Sequence, residues 1–159
     1  MERFIKSDYK YWRGTRNKKL SFFFIVIFFV IYSPFTGYAV DKTPEQIVQE
    51  AKTAINEVSI DEVKKMIDTR EEIILLDVRD GEEYETGHIP GAINISRGSL
   101  DFKVHLIVPD KNKKIIVYCG LDLRSPLATK SLNDLGYKKA VNMIGGLKTW
   151  KEAGYPIVK

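Results

Sequence analysis

The chain has 159 residues, of which 44% are hydrophobic, 29% are charged and one is cysteine. This composition is ordinary for one folded domain and excludes a wholly disordered or collagen-like chain. A single cysteine also excludes a disulfide-stapled scaffold and a metal site built from several cysteines. The net charge of +4 comes from the N-terminus, since residues 1–39 hold seven Lys or Arg and two Asp or Glu. The nearly neutral remainder, residues 40–159, gives no reason to expect a nucleic-acid partner.

The N-terminal segment has the pattern of an export signal. Residues 20–40 carry no charge and follow a basic stretch made of Arg13, Arg16, Lys18 and Lys19. The densest apolar part, residues 20–32, is short for a membrane span but typical of a signal-peptide core. Small residues around Ala39 predict cleavage there, whereas the alternative is an uncleaved anchor. Both interpretations place the protein outside the cytoplasm, in the periplasm or another extracytoplasmic space, with membrane contact only through this segment.

The rest of the chain divides into a helical extension, residues 40–56, and a main domain, residues 57–159. Two capping patterns, Thr43-Pro44-Glu45-Gln46 and Ser59 with Glu62, predict helix starts. The apolar residues that follow recur at helical spacing; they are Ile47, Ala51, Ala54, Ile55 and Val58, then Val63, Met66 and Ile67. Two amphipathic helices are therefore expected before the first strand.

Short apolar runs further along predict buried strands. They are Ile73–Leu76, Ala92–Ile95, Ile115–Tyr118 and Ala140–Met143. A helix is predicted from Ser125-Pro126 to Gly136, with Ala128, Leu132 and Leu135 facing inward, and a shorter one from Gly145-Gly146 to Gly154. Short buried strands alternating with helices predict an α/β fold, with a central parallel sheet of about five strands and helices on both faces.

One loop combines a nucleophile with an anion-binding backbone. Cys119 ends the third predicted strand, and the tetrapeptide Gly120-Leu121-Asp122-Leu123 leads to Arg124 and the helix at Ser125. In open α/β sheets, ligands bind beyond the C-terminal ends of the strands. A tight loop before a helix directs amide N–H groups and the positive end of the helix dipole inward, which favours a nucleophilic thiolate. From position alone, a small buried hydrophobic cysteine is an equally good interpretation.

The wider pattern favours the nucleophile, because it resembles the rhodanese family in its single-domain form. The matching segments are Leu76-Asp77-Val78-Arg79, Glu83-Tyr84, Gly87–Asn94, Val117-Tyr118-Cys119 with Arg124-Ser125, Leu135-Gly136-Tyr137, and Gly145-Gly146 with Trp150. The resemblance covers roughly residues 57–158. It implies a rhodanese-like fold and transfer of a sulfane sulfur through a persulfide at Cys119, from thiosulfate or a similar donor to a thiol or cyanide-like acceptor. No cofactor is implied, because the persulfide itself carries the sulfur.

The resemblance also implies that the whole loop binds substrate, with Arg124 holding an anionic donor alongside Gly120, Leu121, Asp122, Leu123 and Ser125. Protein tyrosine phosphatases place five residues between cysteine and arginine, whereas this chain has four, which argues against phosphatase chemistry. Two features depart from the family pattern. Asp122 stands where family loops often have glycine, and Leu121 and Leu123 make the rim apolar.

These departures leave rival functions open. The chain could be a low-turnover sulfur carrier or a protein-binding module with an envelope partner, or its lone cysteine could form a mixed disulfide. Asp77 and Arg79 are expected to support the site through structural hydrogen bonds or an ion pair. His88 is expected in a turn and His105 in an irregular stretch, and no metal site is predicted.

Overall fold

The structure, a computed structural model, describes residues 41–159. The predicted signal peptide or anchor, residues 1–39, lies outside the described residues. Within residues 41–159, none of the helices combines the length and apolar character needed to cross a bilayer.

The described part of the chain alternates helices with short strands. The helices are α1 (Pro44–Thr53), α2 (Ile60–Asp68), α3 (Gly81–Glu85), α4 (Leu100–Ile107), α5 (Arg124–Asp134) and α6 (Gly146–Glu152). The strands are β1 (Glu57–Val58), β2 (Ile73–Asp77), β3 (Ile93–Asn94), β4 (Lys114–Tyr118) and β5 (Ala140–Met143).

All five strands form one parallel sheet in the order β1-β5-β4-β2-β3. Strand β4 is central, with Val117 paired to Leu76 of β2 on one side and to Asn142 of β5 on the other. The predicted α/β class and five-stranded parallel sheet are confirmed.

Side chains of β4 alternate between two hydrophobic clusters, as the period of two in a strand requires. Ile115 and Val117 point into a cluster with residues of α4 and α5. Ile116 and Tyr118 point into a second cluster with residues of α2 and α6, including Trp150. Helices therefore cover both faces of the sheet, as expected.

Both predicted capping boxes form. In α1, Gln46 N donates to Thr43 Oγ1 over 3.3 Å and Thr43 N donates to Gln46 Oε1 over 2.9 Å. In α2, Glu62 N donates to Ser59 Oγ over 3.2 Å. Each cap satisfies backbone donors that the first helical turn leaves without a partner.

Several local expectations were wrong. Val58 lies in β1, paired with Met143, because helix α1 ends at Thr53. Leu135 is 38% exposed at the end of α5 rather than facing inward. The stretch around His105 forms α4 instead of irregular chain. Exposed Phe102 and Leu106 on that helix hide the helical periodicity of its buried residues.

Candidate active site

Cys119 lies directly after β4, five residues before the first residue of α5. Cys119 is 1% exposed and belongs to the hydrophobic cluster under α4 and α5. Ser125 Oγ donates a hydrogen bond to Cys119 Sγ over 3.4 Å. The sulfur is therefore held at the junction of strand and helix, within reach of one hydroxyl donor.

The loop after Cys119 leaves its backbone donors unpaired. Within residues 41–159, the amide N–H groups from Gly120 to Ser125 donate to no backbone acceptor, and no side chain caps the N-terminus of α5. Four of these amides lie in the loop and two in the first turn of α5, where a helix leaves its N–H groups without helical partners. Such a group of free donors can bind water or an anion.

Asp122 has the left-handed backbone that the loop requires, with φ +60°. Aspartate is one of the few residues other than glycine that adopts this conformation readily. The residue is 7% exposed, and its Oδ1 accepts a hydrogen bond from Asn142 Nδ2 over 2.7 Å. Asp122 thus adopts the backbone conformation for which glycine is otherwise the usual residue.

A lysine from helix α1 pairs with the same carboxylate. Lys52 Nζ lies 2.5 Å from Asp122 Oδ2 and 3.8 Å from Glu57 Oε1. Burial lowers the pKa of Lys52, but the hydrogen bond and negative charge of Asp122 outweigh this and raise it overall. The carboxylate that would otherwise oppose an anion at Cys119 is therefore neutralised by a fixed cation.

Gly146 supports the loop from below. A Cβ at Gly146 would lie 2.5 Å from Cys119 O and 3.1 Å from Asp122 N, and its φ is +63°. Helix α6 begins here, and Leu147 N donates to Cys119 O over 2.7 Å. Only glycine allows this approach, which fixes the start of the loop against α6.

Arg124 is held by Glu83 of helix α3. The two side chains form a bidentate pair, with Nη1 to Oε2 at 2.6 Å and Nη2 to Oε1 at 2.8 Å. The hydrogen bond from Arg124 lowers the pKa of Glu83 to about 2, although its partial burial acts in the opposite direction. Asp80 adds a second carboxylate 3.5 Å from Nη1. The expected anion-binding guanidinium thus already carries an anionic partner.

The rim of the loop is apolar. Leu121 is 62% exposed and Leu123 is 54% exposed, on either side of the buried Asp122. Both leucines therefore face solvent.

Asp77 and Arg79 form the buried ion pair that the sequence predicts. Arg79 Nη2 lies 2.6 Å from Asp77 Oδ2, and the guanidinium also donates to the carbonyls of Glu83 and Gly87. The pair therefore fixes the chain between β2 and α3. Helix α3 holds Glu83, which contacts Arg124.

The structure brings together the predicted residues Cys119, Asp122 and Ser125, while Arg124 points to Glu83 and the two leucines face outward. Sequence analysis missed Lys52 and Asn142 as parts of this site, because neither lies in a motif or near Cys119 along the chain. Glu83 and Gly146 belong to segments that match the family pattern, but the sequence predicted no role for either residue in the site. Across residues 41–159, no three acidic, histidine or cysteine side chains cluster closely enough to hold a metal ion.

Comparison with known proteins identifies the family of this chain. The sequence model of the Rhodanese-like domain matches residues 59–153. This chain therefore belongs to the rhodanese family.

Two relatives show the activities that occur among similar proteins. The chain is 33% identical over 101 residues to the candidate sulfur carrier protein YrkF of Bacillus subtilis, with 64% of this chain and 54% of that protein covered. It thus spans about half the length of that relative. It is also 34% identical over 82 residues to the thiosulfate sulfurtransferase GlpE of Coxiella burnetii, with 52% of this chain and 75% of that protein covered. Sulfur transfer is therefore the chemistry that these relatives support.

A solved structure agrees on the fold. The Rhodopseudomonas palustris protein RPA3614, of unknown function and suggested to be a tyrosine phosphatase, matches with a TM-score of 0.70 and 28% identity. The match covers 77% of this chain and 99% of that one.

Proposed function

We propose that this chain transfers a sulfane sulfur from thiosulfate or a similar donor to a thiophilic acceptor through a persulfide at Cys119. The observation that carries the proposal is the run of unpaired amides from Gly120 to Ser125, in the segment that follows Cys119 directly. These donors and the start of α5 would stabilise the negative charge of a thiolate and then of a persulfide.

The reaction has two steps. The Cys119 thiolate attacks the outer sulfur of thiosulfate, forming a new S–S bond, while the S–S bond of thiosulfate breaks and sulfite leaves with its electron pair. The terminal persulfide sulfur is then attacked by the acceptor. With cyanide, thiocyanate forms and the Cys119 thiolate is restored, so no external oxidant or reductant is needed.

Ser125 contributes one side-chain donor to this reaction. Its hydroxyl lies 3.4 Å from Cys119 Sγ and 3.5 Å from Asp122 Oδ1. Rotation of the hydroxyl toward sulfur would stabilise the thiolate, whereas rotation toward the carboxylate would leave the sulfur free to react.

A low-turnover sulfur carrier is the second candidate, and the pairing of Arg124 with Glu83 favours it. Because that guanidinium is occupied, the loop would bind dianionic thiosulfate weakly. The exposed Leu121 and Leu123 would instead suit a sulfur donor with an apolar or protein-borne group, supplied by an envelope partner.

Phosphatase activity is the less favoured chemistry. The four residues between Cys119 and Arg124 make a smaller ring than the five of tyrosine phosphatases. A phosphate needs three oxygens bound by such a ring, and here Arg124 is already paired with Glu83.

We also propose that the protein is exported. The proposal rests on the basic N-terminus, the uncharged residues 20–40 and the small residues before position 40. Fractionation of cells that express the protein would show whether the chain lies in the cytoplasm or in the envelope. N-terminal sequencing would distinguish cleavage after Ala39 from an intact anchor.

Steady-state kinetics test the main proposal. We expect the wild-type chain to form thiocyanate from thiosulfate and cyanide over many cycles, and Cys119→Ser to form none above background. A single turnover followed by arrest would support the carrier. Phosphate release from an aryl phosphate, with no thiocyanate, would overturn both.

A further inference from the structure

The structure places a charged residue at the loop from a helix that precedes the family domain. Lys52 belongs to α1, before the residue 59 at which the family match begins. Its Nζ lies 2.5 Å from Asp122 Oδ2, and the pair is mostly buried, with side-chain exposures of 23% and 9%. This contact joins residues 70 positions apart in the sequence.

A continuous set of contacts leads from Lys52 to the sulfur. Asp122 Oδ1 lies 3.5 Å from Ser125 Oγ, which lies 3.4 Å from Cys119 Sγ. Asn142 Nδ2 donates to both Asp122 Oδ1 and Glu57 Oε1 over 2.7 Å, so the carboxylate is held on two sides. The charge on Asp122 is therefore close to the reacting atom and cannot swing into solvent.

We propose that Lys52 is a positioning residue for sulfur transfer: its ammonium compensates the Asp122 carboxylate and thereby allows Cys119 to hold a negative charge. This inference rests on the proposed function for its biological meaning, but its physical claim concerns the ionisation of Cys119 alone.

The physical reason is the sign of the charges. A carboxylate near a thiol disfavours the thiolate, whereas an opposite charge at the same place cancels that effect. The glycine common at this loop position in the family brings no charge, so a chain with Asp122 needs a cation that a chain with glycine does not. Lys52 supplies it. Burial lowers the pKa of Lys52, whereas Asp122, Glu57 and, to the smallest extent, Cys119 raise it.

Other charged groups around this site come from several elements, and of these only Asp122 is changed, in one variant of the test below. They are Asp122 in the loop, Arg124 at the start of α5, Glu57 in β1, Arg79 after β2, and Asp80 and Glu83 through Arg124.

The test measures alkylation of the full-length chain by iodoacetamide as a function of pH, followed by intact mass. Cys119 is the only cysteine, so every added group reports on it. Iodoacetamide is uncharged, so its approach does not depend on Lys52. We expect Lys52→Met to slow alkylation at pH 7 by about three- to tenfold and to move the rate profile to higher pH.

Three further variants separate charge from packing. Lys42→Met is the matched control, because Lys42, just before the same helix, forms an exposed ion pair with Glu50 of that helix. This variant should alkylate like wild type. Lys52→Arg should also stay near wild type. The double variant Lys52→Met with Asp122→Asn should recover to within about twofold, because asparagine tolerates the left-handed turn and carries no charge.

Two results would overturn the inference. One is an unchanged rate profile in Lys52→Met, and the other is a slow Lys52→Met that Asp122→Asn does not restore, which would assign Lys52 to packing. The alkylation assay uses no sulfur donor. A shifted profile without any sulfur transfer would therefore reject the proposed function and leave this inference standing.

Discussion

The C-terminal ends of β2 and β4 lie side by side in the sheet, yet they differ in hydrogen bonding. The polar groups after β2 have protein partners, whereas the backbone amides after β4 have none among the described residues. After β2, the Arg79 guanidinium donates to the Asp77 carboxylate and to two backbone carbonyls. After β4, six consecutive amides donate to no backbone acceptor within residues 41–159. Both segments have a buried carboxylate, Asp77 in one and Asp122 in the other, although Leu121 and Leu123 on the loop after β4 are exposed.

The difference separates a structural element from a site. A fully paired polar group stabilises one conformation and offers nothing to a ligand. An unpaired group at a helix start has a free-energy cost that a bound anion can remove. The β2 end therefore fixes the chain, whereas the β4 end leaves donors free for the negative charge that the proposed function requires.

The largest effect is expected at the paired end. Asp77→Asn should lower the free energy of unfolding by about 3–5 kcal/mol, because it leaves the buried Arg79 charge without a counterion. Urea unfolding followed by circular dichroism measures this. The matched control is Asp134→Asn, which breaks an exposed pair with Lys130 and should change stability by less than about 0.5 kcal/mol. Equal effects in the two variants would contradict the structural role of the Asp77 pair.

A smaller effect is expected beneath the unpaired loop. Gly146→Ala should destabilise the chain by about 1–3 kcal/mol, because the new methyl group would meet Cys119 O and Asp122 N. It should also slow sulfur transfer at least tenfold, since about an ångström of displacement is enough to do so. Thermal unfolding and thiocyanate formation measure the two effects.

Gly154→Ala is the control for backbone strain in that experiment. Gly154 has a comparable φ of +73°, but nothing lies within 4 Å of its Cβ position. It should lose stability through strain alone and keep its turnover. If Gly154→Ala also lost turnover to the same degree, the loop support assigned to Gly146 would be wrong.

The smallest effect concerns the link between the two ends. Glu83→Gln should remove the bidentate partner of Arg124 and leave only the 3.5 Å contact with Asp80. We expect the KM for thiosulfate to fall about three- to tenfold, with kcat little changed, because a less occupied guanidinium binds an anion more strongly. Glu82→Gln, on the same helix and exposed, is the control. An unchanged or higher KM in Glu83→Gln would show that Arg124 does not reach the donor.

The same pair predicts a pH dependence of stability. The pKa of Glu83 is lowered from 4.5 to about 2 in the folded state, so its contribution is complete above about pH 4.5 and is lost as the pH falls toward 2. Because the Glu83 side chain is 43% exposed, we expect no more than about 1 kcal/mol. Denaturant unfolding of wild type and Glu83→Gln from pH 5 to pH 2 measures the difference, which should shrink toward zero. A constant difference would contradict the pairing.

Most of the fold follows from local patterns in the sequence. Continuous apolar runs such as Ile115–Tyr118 identify buried parallel strands, and the two capping boxes identify helix starts at Thr43 and Ser59. Strand β1 was not predicted because it has only two residues and depends on pairing with β5. Helix α4 was not predicted because its exposed Phe102 and Leu106 hide the periodicity.

The site was only partly predictable, for a different reason. The nucleophile and its loop are adjacent in sequence, so Cys119, Asp122 and Ser125 could be identified together. Lys52 and Asn142 reach the loop only through packing of α1 and β5, and a single lysine on a charged helix carries no local signal. The pairing of Arg124 with Glu83 is likewise a tertiary contact, made across 41 residues of sequence.

The most direct measurement of the central idea is the intact mass of the full-length chain after exposure to a sulfur donor, without an acceptor. With thiosulfate or an organic persulfide, wild type should gain the mass of one sulfur atom, lose it on addition of cyanide, and Cys119→Ser should gain none. A chain that gains no sulfur from either donor, or that gains it equally with serine at position 119, would contradict the account.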